Sequence, residues 1–142
     1  QRTELLTSVS RTVAAGVLLD TLAVQLPWLL TQQALIGSYN DAPKSLKELQ
    51  SAVDTWRAGT DRHHIVEQTS AEEDGFPRSI IDSPENLVRI PRLKHYEITG
   101  WYQKQSPDYG GQTPRDYLRG RSWAVRYAVG LDALKRFGVL KP

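Results

Sequence analysis

The first third of the chain has the hydrophobic spacing of α-helices. Leucine and valine recur at steps of three and four residues over 3–38, and Pro27 predicts a kink or break in that run. A second helical pattern begins near Pro43 and is expected to stop at Gly59. We therefore predict a helical N-terminal module over residues 1–58.

The middle of the chain changes to short stretches that suit strands. Residues 62–67 contain β-branched side chains and no breaker, and residues 86–90 repeat this pattern after a turn. Between them, Ser70 and Glu73 have the spacing of a capping box at the start of a single helical turn. A helix is then expected over 91–103, with proline as its first residue.

The last part of the chain begins as a loop and returns to a helical pattern. Gly, Pro, Asp and Ser are frequent in residues 105–113, and Thr113 with Pro114 is expected to start a helical region that ends near Gly138. We thus predict one compact α+β domain. Its segments are the helical module (1–58), a strand–strand–helix core (59–104), and a loop with a basic helical region (105–142).

Residues 13–30 are apolar enough to raise the question of a membrane span. Asp20, Gln25 and Pro27 interrupt this run, which favours a buried or docking helix, and no stable membrane insertion is expected. A convincing signal peptide, with a basic start and a small-residue cleavage site, is not found either.

Two residue types are missing from the sequence. Without cysteine there is neither a disulfide framework nor a thiolate metal site, so any metal needs nitrogen and oxygen ligands. A chain free of disulfides also suits work in a reducing cytosol. The start at Gln1 and the absence of methionine predict a piece of a longer protein.

The small net charge of +2 hides an uneven distribution. Residues 1–60 are neutral, residues 61–86 carry a net charge of −5, and residues 87–142 carry +7. A cation-binding centre beside a phosphate-binding surface would need such a pattern, although a solvated charge pattern would also account for it.

All three histidines lie in the segment predicted as strand, loop, strand and helix. His63 and His64 are adjacent, so on a regular strand they would point to opposite faces and take different roles, unless the strand twists or ends there. His95 falls in the first turns of the helix after Pro91. This clustering favours a chemical site over scattered structural histidines.

The histidine segment resembles a known family of nucleases. The stretches DRHHIVE (61–67) and ENLVRIPRLKH (85–95) are similar to the His-Asn-His, or ββα-metal, superfamily, and above all to its bacterial-toxin branch of colicin-type and secreted-effector domains. That branch has a His-His pair, an acidic-Asn dipeptide and a His nine residues after the Asn, as Asn86 and His95 are here. The resemblance covers residues 59–104, and the motif PRDYLRG (114–120) is similar to toxin C-termini.

The resemblance implies a role for each matching residue. His64 would be the general base that takes a proton from the attacking water, a task suited to an imidazole, and Asn86 would brace the loop that orients it. His63 and His95 would bind one divalent metal ion that stabilises the charge developing on the scissile phosphate and the leaving 3′ oxygen.

The third metal ligand is the position at which this sequence departs from the family pattern. The family has a further His four residues after the helix ligand, and here that position is Thr99, whose hydroxyl is a weak ligand. Glu67 shares a strand face with His63 and is the best replacement, ahead of Asp61 and Glu97. Imidazole and oxygen ligands suit Mg²⁺, Mn²⁺ or Zn²⁺.

Nucleic-acid binding needs cations along the phosphate track. Basic residues flank the last histidine and recur at near-helical spacing in the C-terminal region. These candidate contacts are Arg89, Arg92, Lys94, Arg115, Arg119, Arg121 and Arg126. Because no base-reading module accompanies them, we expect little sequence preference.

The expected function is that of a metal-dependent DNA endonuclease, with RNA as the variant substrate. By resemblance it would be the toxin domain of a secreted interbacterial effector, delivered by a bacterial secretion system to the target-cell cytoplasm and held by a cognate immunity protein. Two alternatives stay open: a non-catalytic DNA-binding module, which Thr99 would explain, and a membrane-active segment over 13–37.

Overall fold

A computed structural model describes residue 23 and residues 25–142. Two compact units are distinguished, Gln1–Ala34 and Leu35–Pro142. Residues 25–39 are helical (α1), and the helix continues through Pro27, where we had expected a kink or break. The rest of the predicted helix over 3–38 lies outside the described residues.

The unit Leu35–Pro142 is a mixed α+β structure. Its helices are short until the last third of the chain. In chain order its further elements are α2 (Leu46–Ser51), β1 (Thr60–His64), α3 (Gln68–Glu73), α4 (Arg78–Ile81), β2 (Leu87–Pro91), α5 (Arg92–Tyr102), α6 (Pro114–Tyr117) and α7 (Trp123–Arg136).

The two strands form an antiparallel pair that leads directly into α5. Thr60 pairs with Pro91, and His64 pairs with Leu87. The expected order of strand, loop, strand and helix is therefore present, with both strands shifted by one to three residues from the predicted ranges. Pro91 is the N-cap of α5 and the last residue of β2, where we had expected it as the first helical residue.

The hydrophobic core joins the strands to the C-terminal helix. Ile65, Ile90 and Ile98 are fully buried, together with Leu134 of α7. Gly130 lets α7 approach the end of β1 closely, because a Cβ atom there would lie 2.1 Å from the carbonyl oxygen of Ile65. The residues that follow His64 are thus packed directly against α7.

Two local predictions were wrong. Ser70 does not cap α3; it is buried inside that helix, whose N-cap Glu67 makes no side-chain capping bond. The helical region after Thr113 is divided into α6 and α7, and Ser122 caps the second helix by accepting a hydrogen bond from the amide of Val125. The break changes which arginines of this region share a surface.

No helix among the described residues is long and apolar enough to cross a membrane. Most of the apolar run over 13–30 falls outside the part of the chain that the structure describes.

Candidate functional site

The end of β1, the start of α3 and one side of α5 enclose a cavity of about 230 Å³. Several of the residues predicted to be functional line it. The lining residues are Arg62, His63, His64, Glu67, Gln68, Thr69, His95, Ile98, Thr99, Tyr102 and Arg115. The structure therefore brings all three histidines to one cavity, together with both candidate third ligands.

His63 and His64 line the same cavity although they are adjacent in the chain, because β1 ends there and the regular alternation of strand side chains stops. His64 is the last residue of the strand, and the chain bends at Ile65. The His63 ring is buried, with 6% of the residue exposed, whereas His64 is partly exposed. The two neighbours thus have different surroundings, as a division of labour requires.

The ring of His64 is held by an acidic residue that the sequence did not single out. Nε2 of His64 lies 2.9 Å from Oδ1 of Asp82, just after α4. The hydrogen bond with His64 has the largest effect on the pKa of Asp82 and lowers it; burial opposes this, and Arg78 lowers the pKa further. Asp82 is therefore a carboxylate at neutral pH, and Nε2 of His64 carries the proton in this bond.

His95 is oriented in a similar way from α5. Its Nδ1 lies 3.1 Å from Oδ2 of Asp61, whose other oxygen accepts a 2.9 Å bond from Nε of Arg92. Burial alone would raise the pKa of Asp61, but the bonds from Arg92 and His95 hold it below its usual value. A carboxylate on Nδ1 leaves Nε2 of His95 with its lone pair, which is the common arrangement behind a metal-binding imidazole.

Asn86 lies outside the cavity and ties together the segments around it. It is fully buried; its Oδ1 accepts a 2.8 Å bond from the amide of Val66, and its Nδ2 donates a 2.8 Å bond to the carbonyl of Ile81. Val66 comes two residues after His64, and Ile81 directly precedes Asp82. One side chain thus fixes both partners of the His64–Asp82 bond.

Two imidazoles are suitably placed to share a metal ion. The ring centroids of His63 and His95 are 5.1 Å apart, with an angle of 74° between the planes. With a metal–nitrogen bond of about 2.1 Å, two rings on one tetrahedral ion have centroids roughly 5 Å apart. The spacing of the two rings therefore matches that of two imidazoles bound to one ion.

Both preferred candidates for the third ligand are already hydrogen-bonded within the protein in this conformation. Both oxygens of Glu67 are taken by Arg115, at 3.1 Å from Nε and 2.5 Å from Nη2. The hydroxyl of Thr99 donates to the carbonyl of His95 within α5. No three His, Cys, Asp or Glu side chains in the described part of the chain are grouped as a complete metal site.

Burial lowers the pKa of His63 to about 3, and the nearby rings of His95 and His64 add to this. His63 is therefore neutral at physiological pH and has a lone pair to offer.

We expect the metal-free protein to lose stability as the pH falls below about 6.5, where a histidine in the unfolded chain binds a proton. Folded His63 binds that proton only near pH 3, so the unfolded state holds more protons and the free energy of unfolding falls through this window. Urea unfolding with EDTA between about pH 7 and pH 5 measures the slope. A His63→Gln variant should have a flatter slope; equal slopes would contradict the assignment. Asp61 and Asp82 have lowered pKa values, so they change the free energy of unfolding only below about pH 4, outside this window.

The structure divides the candidate phosphate contacts into two groups. Arg126 is 1% exposed and its guanidinium pairs with Asp74 at the surface, so the proposal that it contacts phosphate was wrong. Arg89 donates to the carbonyls of Ala52 and Val53, which leaves it a structural role in place of the predicted one.

The remaining basic residues stay near the surface. Arg92 and Arg115 are paired with acidic residues beside the histidines, and Lys94 lies over the ring of Tyr39, 4.1 Å from its centroid. Arg119 and Arg121 are exposed in the turn after α6. Fewer arginines are thus available as phosphate contacts than the sequence indicated.

The functional candidates missed from the sequence depend on tertiary contacts. Asp82 carries no local signal, because nothing in its neighbouring residues indicates that it meets His64. The sequence also contained no indication that the hydroxyl of Tyr102, a buried core residue, would have no partner among the described residues. The assignment of a function consequently depends on this geometry and on the histidine pattern. No family model, curated protein or solved structure matches the chain.

Proposed function

We propose that this chain is a metal-dependent endonuclease of the His-Asn-His kind, in which β1, β2 and α5 form the ββα-metal core. One observation carries the proposal: all three histidines line one cavity, and two of them have a carboxylate on one ring nitrogen. Structural histidines scattered in a core would have no reason to converge in this way.

His64 is the general base in this proposal. Asp82 accepts a 2.9 Å hydrogen bond from the protonated Nε2 of His64 and fixes the ring. The other ring nitrogen, Nδ1, then has the lone pair that takes a proton from water. The water oxygen then bonds to phosphorus as the bond to the 3′ oxygen breaks. Because His64 is partly exposed, both water and a nucleic-acid strand can reach it.

His63 and His95 would hold the divalent ion, Mg²⁺, Mn²⁺ or Zn²⁺. The ion would supply charge stabilisation at the phosphate and the leaving oxygen. His63 contributes a buried, neutral ring, and Asp61 keeps the His95 ring in one orientation. With two protein ligands the ion retains positions for the substrate, which suits a phosphodiester as the third partner.

The substrate in this proposal is DNA, with RNA as the variant. The exposed Arg119 and Arg121 lie in the turn after α6, the helix that carries Arg115 of the cavity wall. Contacts to phosphate position a strand without reading its bases, which supports cleavage with little sequence preference.

The biological setting follows from the family resemblance. We propose that the chain is the toxin domain of a secreted interbacterial effector that acts in the target-cell cytoplasm. Its producer would need a cognate immunity protein, and the +7 charge of residues 87–142 favours an acidic partner surface.

Supercoiled plasmid incubated with the purified protein tests the activity. We expect nicking and linearisation with Mg²⁺, Mn²⁺ or Zn²⁺ and none with EDTA, and single-stranded RNA tested in parallel assigns the substrate. Intact DNA and RNA with every metal would reject the enzyme. Metal-independent DNA binding in that case would support the alternative of a non-catalytic module, which the engaged Glu67 and Thr99 favour.

A further inference from the structure

Tyr102 lines the cavity and has a hydroxyl that the fold does not explain. Tyr102 is 1% exposed and its ring belongs to the hydrophobic core, but its hydroxyl has no hydrogen-bond partner among the described residues. A buried polar group without a partner destabilises the folded state. Phenylalanine would fill the same space without this cost, so the fold alone gives no reason for the oxygen.

Arg115, on the same wall, also has an unused donor. Glu67 accepts hydrogen bonds from Nε and Nη2 of the guanidinium, whereas Nη1 donates to no group in the described part of the chain. The Arg115 side chain is 39% exposed and that of Glu67 is 16% exposed. Glu67 therefore holds the guanidinium in place while one positively charged edge remains open to a ligand.

The two donors share their surroundings. Burial chiefly raises the pKa of Tyr102 and Glu67 adds to this, while Arg115 acts in the opposite direction. Both residues line the cavity that holds the histidines. A neutral hydroxyl donor and a cationic donor on one wall suit an anion with several acceptor oxygens.

We propose that Tyr102 Oη and Arg115 Nη1 bind a second phosphate of the nucleic-acid strand, next to the phosphate cut at the histidines. This inference rests on the proposed nuclease function and extends it to the substrate. The strand has to continue past the cut, so a dinucleotide with a single phosphate is a poor substrate. Since phosphate carries no base identity, this subsite adds affinity without sequence preference.

Binding of a labelled single-stranded oligonucleotide in EDTA tests the subsite without cleavage. Tyr102→Phe is expected to bind about tenfold more weakly, the usual effect of losing one hydrogen bond to a charged group. Its urea midpoint should not fall, because the hydroxyl has no partner in the folded protein. In the cleavage assay the loss should appear mainly in KM.

Tyr127→Phe is the matched control. The hydroxyl of Tyr127 donates a 3.0 Å bond to the carbonyl of Glu85, and the residue does not line the cavity. This variant should lose stability and bind the oligonucleotide like wild type, the reverse of the result for Tyr102→Phe.

The possible results separate the two proposals. If wild type nicks plasmid and Tyr102→Phe binds equally well, the subsite is wrong and the nuclease stands. A fall in the urea midpoint of Tyr102→Phe would also overturn the subsite, because the hydroxyl would then be paired within the fold. A wild-type protein that neither binds nor cuts nucleic acid would reject both.

Discussion

Replacing His64 with alanine is expected to lower the rate of plasmid nicking by about 10²–10⁴-fold, the usual contribution of a general base. The variant removes the ring nitrogen that accepts the proton and leaves the metal-binding pair His63 and His95 in place. Their rings are 5.1 Å apart on β1 and α5, and neither depends on the His64–Asp82 bond. Single-turnover nicking at saturating metal measures the chemical step directly.

The loss has to be separated from misfolding. His64 is partly exposed and its bond is to Asp82, so the urea midpoint of His64→Ala should stay close to that of wild type. Equal nicking by His64→Ala would contradict its role as the base.

Asp82 offers a graded control, because Asp82→Asn keeps an oxygen that accepts a hydrogen bond from Nε2 of His64. It should retain more activity than Asp82→Ala if the carboxylate positions the ring.

The sequence was informative where local patterns decide the structure. β-branched residues predicted both strands, and a proline before a helical pattern predicted α5. Their ends were displaced because strand pairing, with Thr60 opposite Pro91, sets the limits. Ser70 has the local pattern of a cap, but tertiary contact overrides it: Nη1 of Arg126 donates to its hydroxyl inside the core.

A glycine and a capping serine mark the break between α6 and α7, although the helical periodicity of the sequence continues across it. Gly120 adopts a positive φ of 71°, and Ser122 two residues later is a good N-cap. Read as one helix, this region would place Arg115 and Arg126 on one surface. The break separates them, so that Arg115 lines the cavity and Arg126 is buried against Asp74.

For the site, the sequence predicted the histidine cluster and could not predict what surrounds it. In this chain β1 pairs with β2 and α5 follows β2 directly, which allows His63, His64 and His95 to line one cavity. Arg115 lines the cavity from α6 and Tyr102 from the end of α5, while Asp82 reaches His64 from the end of α4. The contacts of Asp82 with His64 and of Arg115 with Glu67 depend on how these helices pack. Glu67 was predicted as a ligand from its strand face, yet Arg115 already occupies its carboxylate.

Replacing Asn86 with alanine is expected to lower the free energy of unfolding by about 3–5 kcal/mol. The change leaves the amide of Val66 and the carbonyl of Ile81 buried without their 2.8 Å bonds, and each unpaired group costs about 1–3 kcal/mol. Since domains of this size have a total stability of about 5–15 kcal/mol, the effect is large. Urea unfolding measures it. Asn40→Ala is the control, because Asn40 is exposed and should change stability by less than about 0.5 kcal/mol.

The same variant separates the support of the fold from the support of the site. Asn86 holds the segment after His64 and the residue before Asp82, so its loss should loosen the His64–Asp82 bond even in molecules that remain folded. Nicking per folded molecule, measured well below the unfolding midpoint, should therefore fall by more than tenfold, about the effect of a small displacement of a catalytic group. Full activity per folded molecule would mean that Asn86 only stabilises the fold, and the His64–Asp82 geometry would then need no such brace.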